Sequence, residues 1–161
     1  METERLVFRR PTAADATAPV WIGIAPEEAL AFADQHWHEH GFGPWVAVSK
    51  ETGAVVAAVD LHYAGPGIEG VGAHEYEVGW VVAAEARGAG IATEAGRAAI
   101  AYAFWELGAG EVVAYTSPGN AASLRVIEKL GMQLRGEGRS RDGRRALIFV
   151  ARPAPRPAAG C

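Results

Sequence analysis

The chain has 161 residues, half of them hydrophobic, with 15 basic and 19 acidic side chains, a formal charge of −4. This is enough chain for one domain with a sizeable core and too apolar for a disordered protein. The acidic balance argues against a nucleic-acid-binding footprint, and no apolar stretch is long enough to span a membrane.

Leu6–Arg10, ended by Pro11, reads as a first strand. Thr12 with Asp15 three residues on resembles a capping box, so a first helix is expected there, its end blurred by Pro19 and Val20-Trp21-Ile22. Pro26 followed by Glu27 and Glu28 opens a second helix, which Gly41 closes. Trp45–Ser49 and Ala54–Tyr63 form an antiparallel hairpin around Glu51-Thr52-Gly53. After a glycine-rich loop, 65–72, a strand runs from His74 to Ala83. Arg87-Gly88-Ala89-Gly90 then leads into a helix reaching about Leu107. Glu111–Thr116 is a buried-type strand. Asn120 and Gly131 bracket a compact helix as N-cap and C-terminal glycine. Met132–Ser140 and Arg145–Ala151 pair across Asp142-Gly143.

The order β-α-α-β-β-β-α-β-α-β-β predicts one α/β domain with a mixed sheet, parallel within its βαβ units and antiparallel in its hairpins. That domain is assigned to residues 1–151. Residues 152–161 read as a Pro-rich, disordered tail. Cys161 is the only cysteine, so no internal disulfide is available, and a terminal thiol lacks an activating environment. The polar N-terminus has no signal-peptide pattern, so a cytoplasmic protein is expected.

The most specific segment is the strand Glu77-Val78-Gly79-Trp80-Val81-Val82 followed by Arg87-Gly88-Ala89-Gly90-Ile91-Ala92-Thr93. Glycines that let backbone N–H groups face outward, placed at a helix N-terminus, suit an anion such as a pyrophosphate. A dinucleotide loop would need a third glycine where Thr93 stands and a ribose-binding carboxylate after the next strand, which ends Tyr115-Thr116-Ser117. A P-loop would need a lysine after the glycines.

The remaining pattern, Arg87-x-x-Gly90-x-Ala92, followed at the right distance by Asn120-x-x-Ser123 and Val126–Met132, resembles the GNAT N-acetyltransferases. With the opening Glu4–Arg10, it is similar to their Rim-type branch, which acetylates ribosomal-protein N-termini. The resemblance covers residues 3–151 and implies acetyl-CoA as co-substrate. The cofactor would lie in a V-shaped opening between the strand ending near Ala83 and the strand from Glu111. Backbone groups of Val81 and Val82 would bind the pantetheine. Those of Arg87, Gly88, Ala89, Gly90, Ile91, Ala92 and Thr93 would hold the pyrophosphate. Asn120 would contact the pantetheine arm, and Ser123 would give the leaving thiolate a proton or a hydrogen bond. A backbone N–H near Val82 would polarise the thioester.

The acceptor must present a neutral amine, so a base is useful. Glu77 is the candidate on its strand face, shared with Glu75, Gly79 and Val81; its bland alternative is a solvated strand carboxylate. Ser123 and Asn120 have ordinary helix-start readings as well. The expected partner is an amine, either a small molecule or a protein N-terminus, with no DNA, no membrane and a possible homodimer. The alternative is a non-catalytic acyl-CoA-binding module on the same fold.

His36 and His40 stand four apart and could share a zinc ion, but no third ligand sits at a supporting spacing, so no metal is expected. A solvated helix end is the preferred reading there, with Trp37 and His38 as possible shapers of specificity. Arg139, Arg141, Arg144 and Arg145 read as a solvated hairpin.

Overall fold

In this computed structural model, which describes residues 1–154, seven strands form one sheet in the order β1-β2-β3-β4-β5-β7-β6. They are β1 (Leu6–Arg9), β2 (Trp45–Ser49), β3 (Val55–Tyr63), β4 (Tyr76–Val82), β5 (Val112–Thr116), β6 (Gln133–Arg139) and β7 (Arg145–Ala151). The helices are α1 (Pro26–His40), α2 (Ile91–Trp105) and α3 (Ala121–Lys129).

The mixed α/β expectation holds, with two differences. The helix expected after Thr12 is a 3-10 turn of five residues, Ala13–Thr17. Pro19 and the lack of an apolar stripe leave nothing to propagate it. The second βαβ unit does not place its strands side by side either. β7 inserts between β5 and β6, antiparallel to both, because the Asp142-Gly143 turn folds the last strand back. Gly143 takes φ +78°, which this turn needs. The tail assignment falls mostly on residues 155–161, outside the described residues; Arg152 donates to Glu111 Oε1 at 2.7 Å.

Alternation gives the sheet two faces. On one face Leu6, Ala57, Val59, Leu61, Val78 and Val112 pack beneath Ala95, Ala99 and Ala103 of α2 and Ile127 of α3. Burying a Leu, Ile or Val side chain contributes about 1.5–3 kcal/mol each. Alanines on α2 let it approach closely. A Cβ on Gly96 would come within 3.0 Å of Leu130 and 3.3 Å of Trp80.

The loop read at 65–72 extends to 75, since β4 begins at Tyr76 and not at His74, and it completes the core of the other face. Ile68 and Val71 are buried against Val113, Ile148 and Val150. Gly138 permits this, since a Cβ there would overlap the carbonyl of Glu69. Arg135 clamps the loop through Glu75 and the carbonyl of Gly70. Glu75 therefore precedes β4 and serves the loop, not an acceptor site, and its pKa is lowered by Arg135.

The 3-10 turn is anchored in a comparable way. Asp15, only 4% exposed, accepts from both Arg9 guanidinium nitrogens at 2.7 and 2.8 Å and from Thr12 N–H at 2.7 Å. These donors hold its pKa at about 2, chiefly through Arg9. A depressed carboxylate stabilises the fold above its unfolded value and loses that contribution as pH falls toward the folded value. The interaction contributes about 2 kcal/mol at neutral pH. Asp15→Asn is expected to lower the melting temperature at pH 7 and to flatten the loss of stability between about pH 4 and pH 2, followed by thermal melts across that range.

Candidate active site

β4 and β5 run parallel but pair only at Tyr76 with Val112 and Glu77 with Val113. Beyond that point they diverge, so Gly79–Val82 has a sheet partner on the β3 side alone. The divergence follows from what the strands serve next. β4 leads into the glycine loop under α2, while β5 stays paired with β7 through Thr116.

The opening holds a groove of about 440 Å³. Its strand wall includes Val81 and Val82. The loop and helix start supply Arg87, Gly88, Gly90, Ile91, Ala92 and Thr93, and α3 supplies Ser123. Gly88 and Gly90 take φ +77° and +80°. That left-handed backbone turns the chain into α2, whose first N–H groups have no helical acceptor. The groove thus ends in a cluster of free donors with the positive end of a helix dipole behind it.

Two residues expected at the cofactor are not on the groove wall. Ala89 gives its carbonyl to Arg5 Nη1 at 2.8 Å. Asn120 caps α3, accepting from Ser123 N–H at 3.1 Å. Arg87 turns its side chain back to the Val82 carbonyl at 3.2 Å, so its backbone is what faces the groove.

Beyond Thr93 the groove opens into a depression of about 510 Å³ bordered by Arg5, Arg97 and Lys129. Arg5 is held there by Glu94, whose carboxylate also accepts from Thr3 Oγ1 at 2.6 Å.

On the sheet face away from α2, a second cavity of about 200 Å³ lies between α1, the 20–24 segment and β3. Ile22 and Val81 line both this cavity and the cofactor-type groove, so the two spaces meet there. Asp60 and His62 of β3 face it. Asp60 is opposite Gly79 in the β3–β4 register, and a Cβ on Gly79 would touch its carboxylate at 3.5 Å. Burial pushes the Asp60 pKa up.

Glu77 is opposite His62, with Oε1 4.0 Å from His62 Nε2. His62 Nδ1 lies 2.7 Å from the Tyr63 carbonyl and must carry a proton to bond it, so the Nε2 edge is the one turned toward Glu77. Phe32 of α1 stands edge-on to the His62 ring at 5.2 Å. Glu77 Oε2 is buried and accepts no hydrogen bond. Burial raises the Glu77 pKa, opposed by His62 and by the Tyr115 hydroxyl, and assisted by Asp60. Burial and the Glu77 charge push the Tyr115 phenol up, so it stays protonated as a donor.

Glu77 is therefore no solvated strand carboxylate. It belongs to a cluster of Asp60, His62, Glu77 and Tyr115 at the apex of the opening, and it lines neither cavity itself. Sequence reasoning missed Asp60, His62 and Tyr115. The available signal was alternation: Asp60 and His62 put two titratable groups on one strand face whose other members are Val56 and Ala58.

The expected solvated helix end holds for His38 and His40, which are exposed, but not for His36. His36 is buried; Nδ1 meets the Phe42 carbonyl at 2.8 Å, and Nε2 accepts from Tyr63 N–H at 3.2 Å. Both ring nitrogens are occupied by backbone, and burial lowers the pKa, which keeps the ring neutral. Trp37 Nε1 donates to the Pro44 carbonyl at 2.9 Å and His38 is exposed; neither lines the second cavity. On the last hairpin Arg145 pairs with Glu137, Arg144 with Asp142, Arg139 with the Gly143 carbonyl and Arg141 with the Pro66 carbonyl, as a solvated hairpin would.

The family profile described as an acetyltransferase (GNAT) domain matches residues 5–133. The chain belongs to the GNAT acetyltransferase family. It is 38% identical over 65 residues to the uncharacterized N-acetyltransferase YnaD of Bacillus subtilis, a match spanning 40% of this chain and 38% of that relative.

Solved structures share the fold over nearly the whole chain. An acetyltransferase from Agrobacterium tumefaciens is 26% identical with a TM-score of 0.76, covering 95% of this chain and 94% of its own. The yncA structure from Salmonella typhimurium, which holds its cofactor acetyl-CoA, has a TM-score of 0.70 at 16% identity, covering 98% and 99%. A ribosomal-protein-S5-alanine acetyltransferase from Vibrio fischeri has a TM-score of 0.71 at 20% identity, covering 94% and 95%. Among the described residues no helix is long and apolar enough to cross a membrane.

Proposed function

We propose that this GNAT domain moves an acetyl group from acetyl-CoA to a primary amine by direct attack within a ternary complex. The observation that carries the proposal is the junction of the two cavities at Val81 and Ile22, one ending in free backbone donors and the other lined by the Asp60 carboxylate and His62. The donors at Gly88–Thr93 hold the pyrophosphate, and Arg97 and Lys129 suit the phosphate-bearing nucleotide end. The unpaired edge of Gly79–Val82 takes the pantetheine amides as an added strand would. Similarity of the Glu4–Arg10 strand to that of the Rim-type branch supports kinship in sequence with that branch and does not extend to its protein acceptor.

In the transfer, the amine nitrogen attacks the thioester carbonyl carbon, the C–S bond breaks, and the thiolate is protonated through the Ser123 hydroxyl at the groove wall, which takes a replacement proton from solvent water. A backbone N–H near Val82 stabilises the oxyanion. The proton lost by the attacking amine passes to Glu77 through an intervening water or the His62 ring, since Glu77 lines neither cavity. Its raised pKa brings it closer to the operating pH than an ordinary carboxylate, which favours proton transfer.

The expected result is amine-dependent release of free CoA thiol, together with a rise in melting temperature on adding acetyl-CoA but not NAD. Binding of acetyl-CoA without turnover on any amine would favour the non-catalytic acyl-CoA module instead. Absence of acetyl-CoA binding would contradict both readings.

A further inference from the structure

The second cavity has a chemistry of its own that narrows the acceptor. At about 200 Å³ it is below the roughly 300–1,000 Å³ of pockets that enclose drug-sized ligands. Its walls are apolar: Val20, Trp21 and Ile24 on one side, Phe32 and Ala33 of α1 on the other. Trp21 spends its one donor on the Asp15 carbonyl at 2.7 Å, so it offers the cavity ring surface alone. The charged chemistry is one-sided. Asp60 and His62 are the ionisable residues lining it, and no lysine or arginine does. The nearby arginines are engaged elsewhere, Arg9 with Asp15 and Arg10 over the Trp37 ring at 4.3 Å. The entrance is apolar as well, with Ile22, Ile24 and Phe32 exposed by 55%, 46% and 43%.

We propose that the acceptor is a small monoamine with an apolar aliphatic or aromatic body and no anionic group, its ammonium paired with Asp60 and its body between Trp21 and Phe32. The proposal rests on the acetyl-transfer reading above. A second cationic centre, as in a polyamine or aminoglycoside, would be desolvated against apolar walls with no counter-charge. A carboxylate on the acceptor would lie near Asp60 with no cation to balance it. The amine meets the cofactor groove at Val81, on the Asp60 side of the cavity, and its proton leaves toward Glu77 before attack.

The test compares 2-phenylethylamine, phenylalanine, spermidine and a short peptide with a free N-terminus in the CoA-release assay. The acetyl-CoA thermal shift is measured in parallel. The first two acceptors share one body and differ by a carboxylate. The expected result is kcat/KM at least tenfold higher for 2-phenylethylamine than for the other three. In Asp60→Asn that value falls about tenfold, mainly through KM, with the acetyl-CoA shift retained. Equal or better use of phenylalanine, spermidine or the peptide, or an unchanged KM in Asp60→Asn, would overturn the substrate class while leaving acetyl transfer standing. Acetyl-CoA binding with no acetylation of any of the four would overturn it too. Loss of the thermal shift in the unaltered protein would instead remove the acetyl-transfer reading, and this proposal with it.

Discussion

Glu77→Gln is expected to lower kcat/KM for the accepted amine about 100-fold at pH 7, within the 10²–10⁴ range of a positioned general base. The substitution keeps size and removes the proton-accepting oxygen pair. Acetyl-CoA should bind the variant as before, because no part of Glu77 lines the groove. The pH profile separates this from a packing defect. Burial raises the Glu77 pKa, so in the native protein kcat/KM should climb as the group deprotonates, with a midpoint above the ordinary carboxylate range. In Glu77→Gln that limb should vanish. If it persists unchanged, the limb belongs to Asp60, whose pKa is raised by burial as well.

Gly90→Val is expected to abolish the acetyl-CoA thermal shift. Gly90 holds φ +80° at the N-terminus of α2. A β-branched residue there costs about 1–2 kcal/mol in backbone strain and turns the following N–H groups away from the anion. At 100 times Kd, a ligand specific for the folded state contributes about 2.7 kcal/mol. For a domain this size that is a shift of about 5–10 °C. The variant should melt somewhat lower and show less than about 1 °C of shift. Gly110→Ala, in open space and without a positive φ, serves as the control and should behave as the native protein does.

What the sequence disclosed follows from the range of the interactions involved. Caps and turns are local, so they could be read directly. Pro26 and Gly41 bound α1, Asn120 and Gly131 bracket α3, and Asp142-Gly143 turns the last hairpin. The glycine loop is local too, and its conformation is the one its residues imply. Strand insertion is not local: nothing near β7 records that it lies between β5 and β6.

The candidate site divides the same way. The phosphate-type cradle is one continuous segment. The acid cluster draws on three strands, and only their register brings Asp60, His62, Glu77 and Tyr115 together. His36 was misleading for the same reason, since its partners, Phe42 and Tyr63, lie in a neighbouring loop and a distant strand.

The central claim is that acetyl passes directly from acetyl-CoA to an amine where the two cavities meet. A quenched single turnover with excess protein, read by mass spectrometry of the intact chain and of the amine, tests it most directly. The account predicts acetylated amine forming at the rate CoA appears, with the chain unmodified whether or not the amine is present. An acetylated chain that accumulates when the amine is withheld, and discharges when it is added, would contradict it.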